Sequence, residues 1–474
     1  MMNSKENKRL IVLLLGLIAM FLGLILYLSY FTVFEAKTIV DHPANRRDSI
    51  KVAGIKRGAI LDSKGNVLAE TVGEKYNYTR HYTYPRAYSH VIGYASKTKG
   101  RSGLEATYND ALLGLNSGKT LKDLQAFFDS DIDTEVGDNM TLTTNSNIQE
   151  FVRETLIETD KKGAIVVMNP TTGAILAMAS SPDFNAQNID QDYNAIVEQN
   201  NGAFFNNAIQ GGYAPGSVFK IVTAAAILES DVDQSYEDTG EEVILGRAIK
   251  NAGGEKYGDI DLNEAFTYSV NTYFANKAVA IGKDKFTEVA ERFMMNKDID
   301  FDLNLATSTF KSEGWDQHAL GSAAIGQADI LTTPLQMTLI TNAIANQGKI
   351  MAPYLVERIT SPEGATIQTH EPTVLSEAIT PENAQKLAEM MENVVRQGSG
   401  RGAQIRRTAV AGKTGTAQTR QADGSYNAWF VGFAPVKDPK VSVAVILQDS
   451  EKFGGEVAAP IAADIMEFAL GELN

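Results

Sequence analysis

There is no cysteine among the 474 residues of this chain. That excludes a disulfide framework, a thiolate zinc site and lipid attachment through cysteine. It is compatible with a place outside the cytoplasm without requiring one. Histidine is nearly as scarce. The five residues stand at 42, 81, 90, 318 and 370, none of them in an H-x-x-x-H pair, so no catalytic metal is expected. The G-x-x-x-x-G-K-[ST] loop of nucleotide chemistry is missing too. Basic charge is in deficit: 43 Lys and Arg against 58 Asp and Glu leave a net charge of −15. Nucleic acid is a poor partner for such a chain, because phosphates call for basic patches. The acidic balance suits solubility outside a membrane. No internal repeat at a solenoid period occurs.

Charge is also absent from one long run. Residues 10–28 are 19 positions without a charged side chain, and the uncharged stretch continues to Phe34. That is enough to cross a bilayer as a helix. Lys5, Lys8 and Arg9 precede it, which predicts a cytoplasmic tail at 1–9, an anchor at 10–34 and export of the remainder. Tyr30, Phe31, Val33 and Phe34 are bulky, which favours an anchor over a cleaved signal peptide. About 440 residues remain, too many for one small domain. Residues 35–145 carry short β-like runs (59–61 and 76–84), glycine-rich turns and many charges, and read as an extended, β-rich, non-catalytic pedestal. Residues 146–474 show a hairpin at 163–180, long helices, a strand at 441–448 and a helix at 457–470. This predicts an α+β domain with helices around an antiparallel sheet. The Asn-, Gln- and Asp-rich stretch 185–207 reads as a surface loop.

Three short motifs follow in order. Ser217-Val218-Phe219-Lys220 comes after the turn signal Pro215-Gly216 and opens an apolar, alanine-rich helix, so Lys220 follows Ser217 at i+3 on one face. A serine hydroxyl becomes a nucleophile when a base takes its proton. A lysine serves as that base only when burial or a nearby cation keeps it neutral. Ser269-Val270-Asn271 sits at a break in a helical stretch. There Ser269 is placed to pass a proton from Lys220 to a leaving amine, and Asn271 to bind a substrate amide. Lys413-Thr414-Gly415-Thr416 has the small residues of an edge strand. Gly415 admits a close backbone approach, the Thr416 and Ser217 N–H groups suit an oxyanion hole, and Lys413 with Thr414 suits a substrate carboxylate. Taken singly, each motif also fits a helix cap, a helix-end polar pair or a surface hairpin. Three in this order fit a serine acyltransferase with lysine in place of histidine.

The chain resembles a class B penicillin-binding protein, a membrane-anchored, monofunctional D,D-transpeptidase, over nearly its whole length. Besides the three motifs, the likeness includes Arg57-Gly58-Ala59-Ile60-Leu61-Asp62 with Gly65 and Leu68-Ala69, and Gly103-Leu104-Glu105 with Tyr108. It also includes the hairpin from Gly163, Gly326-Gln327, Thr333-Pro334-Leu335-Gln336, and Trp429-Phe430 with Gly432. Ser63 and Tyr257 depart from the family, which often has arginine and histidine there. The resemblance implies the penicillin-binding transpeptidase fold and a Ser217 acyl-enzyme formed on the penultimate D-Ala of a peptidoglycan stem peptide. It further implies covalent inhibition by β-lactams and no cofactor. Lys220 would be the base, Ser269, Asn271 and Lys413 would assist, Ser217 and Thr416 would hold the oxyanion, and Lys413, Thr414 and Thr416 would grip the carboxylate. A polytopic membrane glycosyltransferase is the implied partner, docked along the anchor, where Gly16, Ala19 and Gly23 share a face, and along the pedestal.

Rival readings use the same motifs. A D,D-carboxypeptidase passes the acyl group to water in place of an amine. A β-lactamase needs an added carboxylate, and Asp300-Phe301-Asp302-Leu303-Asn304 imitates the loop that carries one. A non-enzymatic scaffold would be expected to have lost Ser217 or Lys220. A β-lactam-sensing receptor would have more membrane helices.

Overall fold

The computed structural model describes residues 4–30, 53–115, 136–418 and 425–473. The chain divides into two compact units, Met1–Lys56 with Gly73–Thr79, and Arg57–Val72 with Arg80–Asn474. In the first, a 27-residue helix, α1, Ser4–Tyr30, takes in the charged residues Lys5, Glu6, Lys8 and Arg9 and the charge-free run as far as Tyr30. The side chains described on it, at 12–25 and 27, are exposed. Among the described residues, no helix is long and apolar enough to cross a membrane. The expected end of the anchor, 31–34, lies outside the described residues, as do 35–52 and 116–135 of the expected pedestal.

The second unit contains two large sheets. One has six strands, drawn from both ends of the sequence. Its N-terminal members are β1 (Ile60–Leu61), β2 (Val67–Val72), β3 (Thr79–Tyr82) and β4 (Asn139–Leu142). Its others are β7 (Val356–Thr360) and β8 (Thr366–Thr369), and the order is β8-β7-β4-β1-β2-β3. The β-like run expected over 76–84 narrows to β3. β4 lies parallel to β1 and antiparallel to β7, so the pedestal segment shares its sheet with residues 356–369. A buried ion cluster ties this region together: Glu105 accepts from Arg57 at 2.5 Å and from Arg80 at 2.7 Å. Those cations hold its carboxyl below the usual value against the opposing effect of burial.

The other sheet is the expected antiparallel one. The hairpin forms from β5 (Gly163–Met168) and β6 (Ile175–Ser181), and β9 (Ala411–Gln418), β10 (Tyr426–Ala434) and β11 (Val441–Ser450) complete the order β9-β10-β11-β5-β6. Alternation along these strands divides the core. Val166, Met168, Trp429, Val431 and Ile446 face one cluster, which includes α3 (Lys220–Leu228) and α6 (Pro334–Ala345). Ile165, Val167, Phe430, Val443 and Val445 face the other, with α2 (Ser146–Glu158) and α8 (Gly454–Leu473). The result is helices on both faces of one buried sheet.

Local chemistry sets the helix starts. Asp261 and Glu264 form a reciprocal capping box on α4 (Leu262–Tyr268). Thr333 and Thr380 cap α6 and α7 (Pro381–Arg396), each with proline in the first turn. The stretch 185–207 corrects the expectation of a plain loop, because Ile189–Gln199 is helical. Ile189 is buried, and Tyr193 and Ile196, at i+4 and i+7, pack partly against the core. Their helical period is diluted in the sequence by polar neighbours.

Candidate active site

Ser217 stands in a tight turn. Residues Gly216–Phe219 are a 3-10 helix that leads into α3, and in that geometry i and i+3 eclipse. Ser217 and Lys220 therefore project on the same side. Pro215, not Ser217, occupies the N-cap position, which removes the plain capping role for the serine. The turn is built on two glycines at positive φ, Gly216 at 57° and Gly326 at 73°. Gly216 N donates to Gly326 O at 3.0 Å, and a Cβ on Gly326 would stand 2.0 Å from Gly216 O. The indole of Trp429 donates to Ala214 O at 3.1 Å, fixing the chain just before the turn.

The second motif has the expected break. α4 ends at Tyr268, Ser269 takes the left-handed conformation at φ 60°, and α5 (Asn271–Ile281) begins two residues later. A non-glycine residue there stores strain, and the strain aims both side chains at Lys220. Lys220 Nζ lies 2.7 Å from Ser269 O, 3.0 Å from Ser269 Oγ and 2.7 Å from Asn271 Oδ1. Asn271 Nδ2 in turn donates to Lys250 O at 2.9 Å, so its carbonyl end must face the lysine.

Lys413 arrives from β9, the edge strand of its sheet. Its Nζ is 2.9 Å from Ser269 Oγ and 3.3 Å from Thr414 O. Ser269 thus bridges two lysines, and both are 0 % exposed. Burial first, then the charge on Lys413, holds the Lys220 amine well below the ordinary lysine value. Burial alone brings Lys413 down to about 7. One proton on the pair is the arrangement such a dry site favours. A neutral Lys220 has two N–H groups and one lone pair. Ser269 O and Asn271 Oδ1 only accept, so they take the two N–H groups. The lone pair remains for a hydroxyl proton, from Ser269 or from Ser217. Ser269 Oγ then accepts from Lys413 while facing the Lys220 lone pair, which is the wiring of a proton relay.

Alternation on β9 separates the remaining motif residues. Lys413 and Gly415 face the serine turn, whereas Thr414 and Thr416 face the other way. A Cβ on Gly415 would lie 2.9 Å from both Pro215 O and Val218 Cγ1. The nucleophile's own turn packs against this position, so the protein itself already requires glycine there. Lys413 acts on Ser269 and Lys220, while Thr414 and Thr416 are set for contacts along the strand edge. Thr414 Oγ1 is 2.6 Å from Ser399 Oγ, and Thr416 Oγ1 accepts from Gly454 N at 3.2 Å. Sequence reasoning missed Ser399. Gly398-Ser399-Gly400 reads only as a turn, and no spacing links it to a strand that begins eleven residues after Gly400. The Ser217 N–H lies in the first turn of its 3-10 helix and lacks a partner within it, as an oxyanion donor requires. Among the described residues, no cluster of His, Asp and Glu able to hold a metal occurs.

Two family models match the chain. The penicillin-binding protein transpeptidase domain covers residues 163–467, and the penicillin-binding protein A dimerisation domain covers 57–136. A peptidoglycan D,D-transpeptidase of Mycolicibacterium smegmatis is 32% identical over 93% of this chain and 94% of its own. A solved D,D-transpeptidase domain of an Eggerthella lenta peptidoglycan glycosyltransferase is 35% identical, with a TM-score of 0.78 over 89% of this chain and 99% of that one. The penicillin G acyl-enzyme complex of Mycobacterium tuberculosis penicillin-binding protein A is 31% identical, with a TM-score of 0.80 over 88% and 100%. With the serine turn, the bridged lysines and the edge strand in place, this chain belongs to the penicillin-binding transpeptidases, as a class B member.

Proposed function

We propose that this protein is a serine D,D-transpeptidase that cross-links peptidoglycan stem peptides, and that β-lactams acylate the same serine. The observation that carries the reading is Ser269 bridging two buried lysines beside the Ser217 turn. Ser217 Oγ attacks the penultimate D-Ala carbonyl while Lys220 takes its proton. The Ser217 and Thr416 N–H groups hold the oxyanion. The C–N bond breaks, and the terminal D-Ala leaves with the proton returned through Lys220 and Ser269. An amine from a second stem peptide then attacks the ester, gives up its proton by the reverse route, and frees Ser217. Asn271, with one N–H still unused, is placed to bind the donor's amide. Thr414 and Thr416, with the peptide groups around Gly415, bind its carboxylate end.

The β-lactamase reading loses its carboxylate. Asp302 is occupied by the Tyr108 hydroxyl and by the N–H groups of Leu355 and Val356, and Asp300 is exposed. We read 35–145 as the non-catalytic part and 146–474 as the transpeptidase domain, a division that the two family matches support. The same proposal takes residues 10–34 as the membrane anchor, with 1–9 cytoplasmic and the catalytic domain outside, on the strength of the uncharged run and the basic residues before it. A membrane glycosyltransferase supplies the glycan strands.

The deciding experiment is labelling of the purified protein with a fluorescent penicillin, followed by peptide mapping. The label is expected on Ser217, lasting minutes or longer, and absent in Ser217→Ala. Labelling that survives that substitution would remove the nucleophile assignment. Rapid turnover of the drug would favour a β-lactamase.

A further inference from the structure

Ser399 lies beside the site and takes no part in the proton transfers above. It follows α7 in a turn that leaves its backbone little room. A Cβ on Gly398 would meet Thr267 O at 2.2 Å, and one on Gly455, at the start of α8, would meet Ser399 O at 2.4 Å. The turn is clamped between α4 and α8, yet Ser399 is exposed. Its Oγ and Thr414 Oγ1 are 2.6 Å apart.

Two hydroxyls at that distance share one hydrogen, whichever donates. The second hydrogen of the pair stays free for an outside acceptor. Thr416 lies two residues along the same face of β9, about 7 Å away. Its Oγ1 accepts from Gly454 N, which leaves its own O–H to donate. The strand edge therefore presents two O–H donors, and a carboxylate presents two oxygens. The carbonyls ending α7 would repel an anion here, but they are covered. Gln404 Nε2 donates to Val395 O and Arg396 O, and the Arg401 guanidinium donates to Gln397 O.

Resting on the D,D-transpeptidase reading, we propose that Ser399 is a positioning residue for the carboxylate of the acyl donor, acting through Thr414. It holds the Thr414 hydroxyl so that one hydrogen of the pair faces the anion. The resulting preference is for donors that end in a free carboxylate over donors that end in an amide.

The test uses the full chain and two peptide donors, one with a terminal D-Ala carboxylate and one with the carboxamide. Acylation of Ser217 is followed for each, and penicillin labelling of the same serine is read alongside. Ser399→Ala is expected to lose about tenfold in kcat/KM on the carboxylate donor, mostly in KM. On the amide donor it should lose less than about twofold. Ser399→Thr should restore the carboxylate donor, and Thr414→Val should show the same selective loss. The double variant should then lose no more than Thr414→Val alone. Equal losses on both donors, or an unchanged Ser399→Ala, would overturn the proposal, and additive losses would overturn the route through Thr414. A wild-type protein that penicillin does not label at Ser217 would instead sink the transpeptidase reading itself, a result separate from all of these.

Discussion

The proposed chemistry of this site depends on a lysine that gives up its charge. Lys220 manages this because it is buried and because Lys413 lies on the far side of Ser269. Arginine cannot deprotonate in a protein. Lys220→Arg should therefore acylate with penicillin roughly a hundredfold more slowly or worse, with thermal melting to show that the fold survives. Near-normal acylation would assign the proton transfer elsewhere. A second prediction follows from the pair. The neutral base is present above the folded pKa of Lys220 and is lost as pH falls through it, so the acylation rate has an acid limb. Lys413 is the second cause of that depression, after burial. In Lys413→Met the repulsion is gone, the pKa of Lys220 rises, and the acid limb should move to higher pH. A limb that stays in place or moves down would separate the two lysines. Ser217, Lys220, Ser269 and Lys413 were legible in the sequence because each belongs to a short motif in a fixed order. Ser399 was not, since its partner Thr414 is reached only through packing between α4, α8 and β9.

Among the elements, the serine turn depends most on single atoms. Gly326 passes so close to Gly216 that no side chain fits, and its φ of 73° disfavours one in any case. Gly326→Ala should cost at least about 2 kcal/mol and abolish acylation, because the backbone that must shift carries Ser217. Gly314 provides the control: its φ is 75°, but nothing lies within 4 Å of its added Cβ. Gly314→Ala should cost about 1 kcal/mol and leave acylation unchanged. Equal effects at the two positions would show that φ strain, not the crossing of the two chains, sets the turn. The hairpin, the edge strand and the break at Ser269 could be read from periodicity and turn residues. The helix at Ile189–Gln199 could not, because its apolar residues are few and only Ile189 is fully buried.

At the scale of the whole molecule, the sequence predicts a pedestal followed by a catalytic domain, and the strands are less tidy. β4, just before α2, inserts between β1 and β7, two strands separated by nearly three hundred positions along the chain. Sequence patterns cannot announce such a pairing, because register across that distance is decided by which faces are already buried. The pairing also makes the catalytic half a poor fragment. Cut free at residue 146, it would retain β7 and β8 and lose the neighbour of β7. The N–H and C=O groups of Val356–Thr360 would then line an open edge, ready to pair with another copy. The excised piece should be sticky, eluting as aggregates in gel filtration and recovering when charges are placed on the bared strand. A fragment 146–474 that stays monomeric and acylates normally would show that the shared sheet is dispensable. If the edge does behave this way, proteolytic nicking near residue 146 would not release an independent enzyme. It would yield a protein that must find a replacement strand.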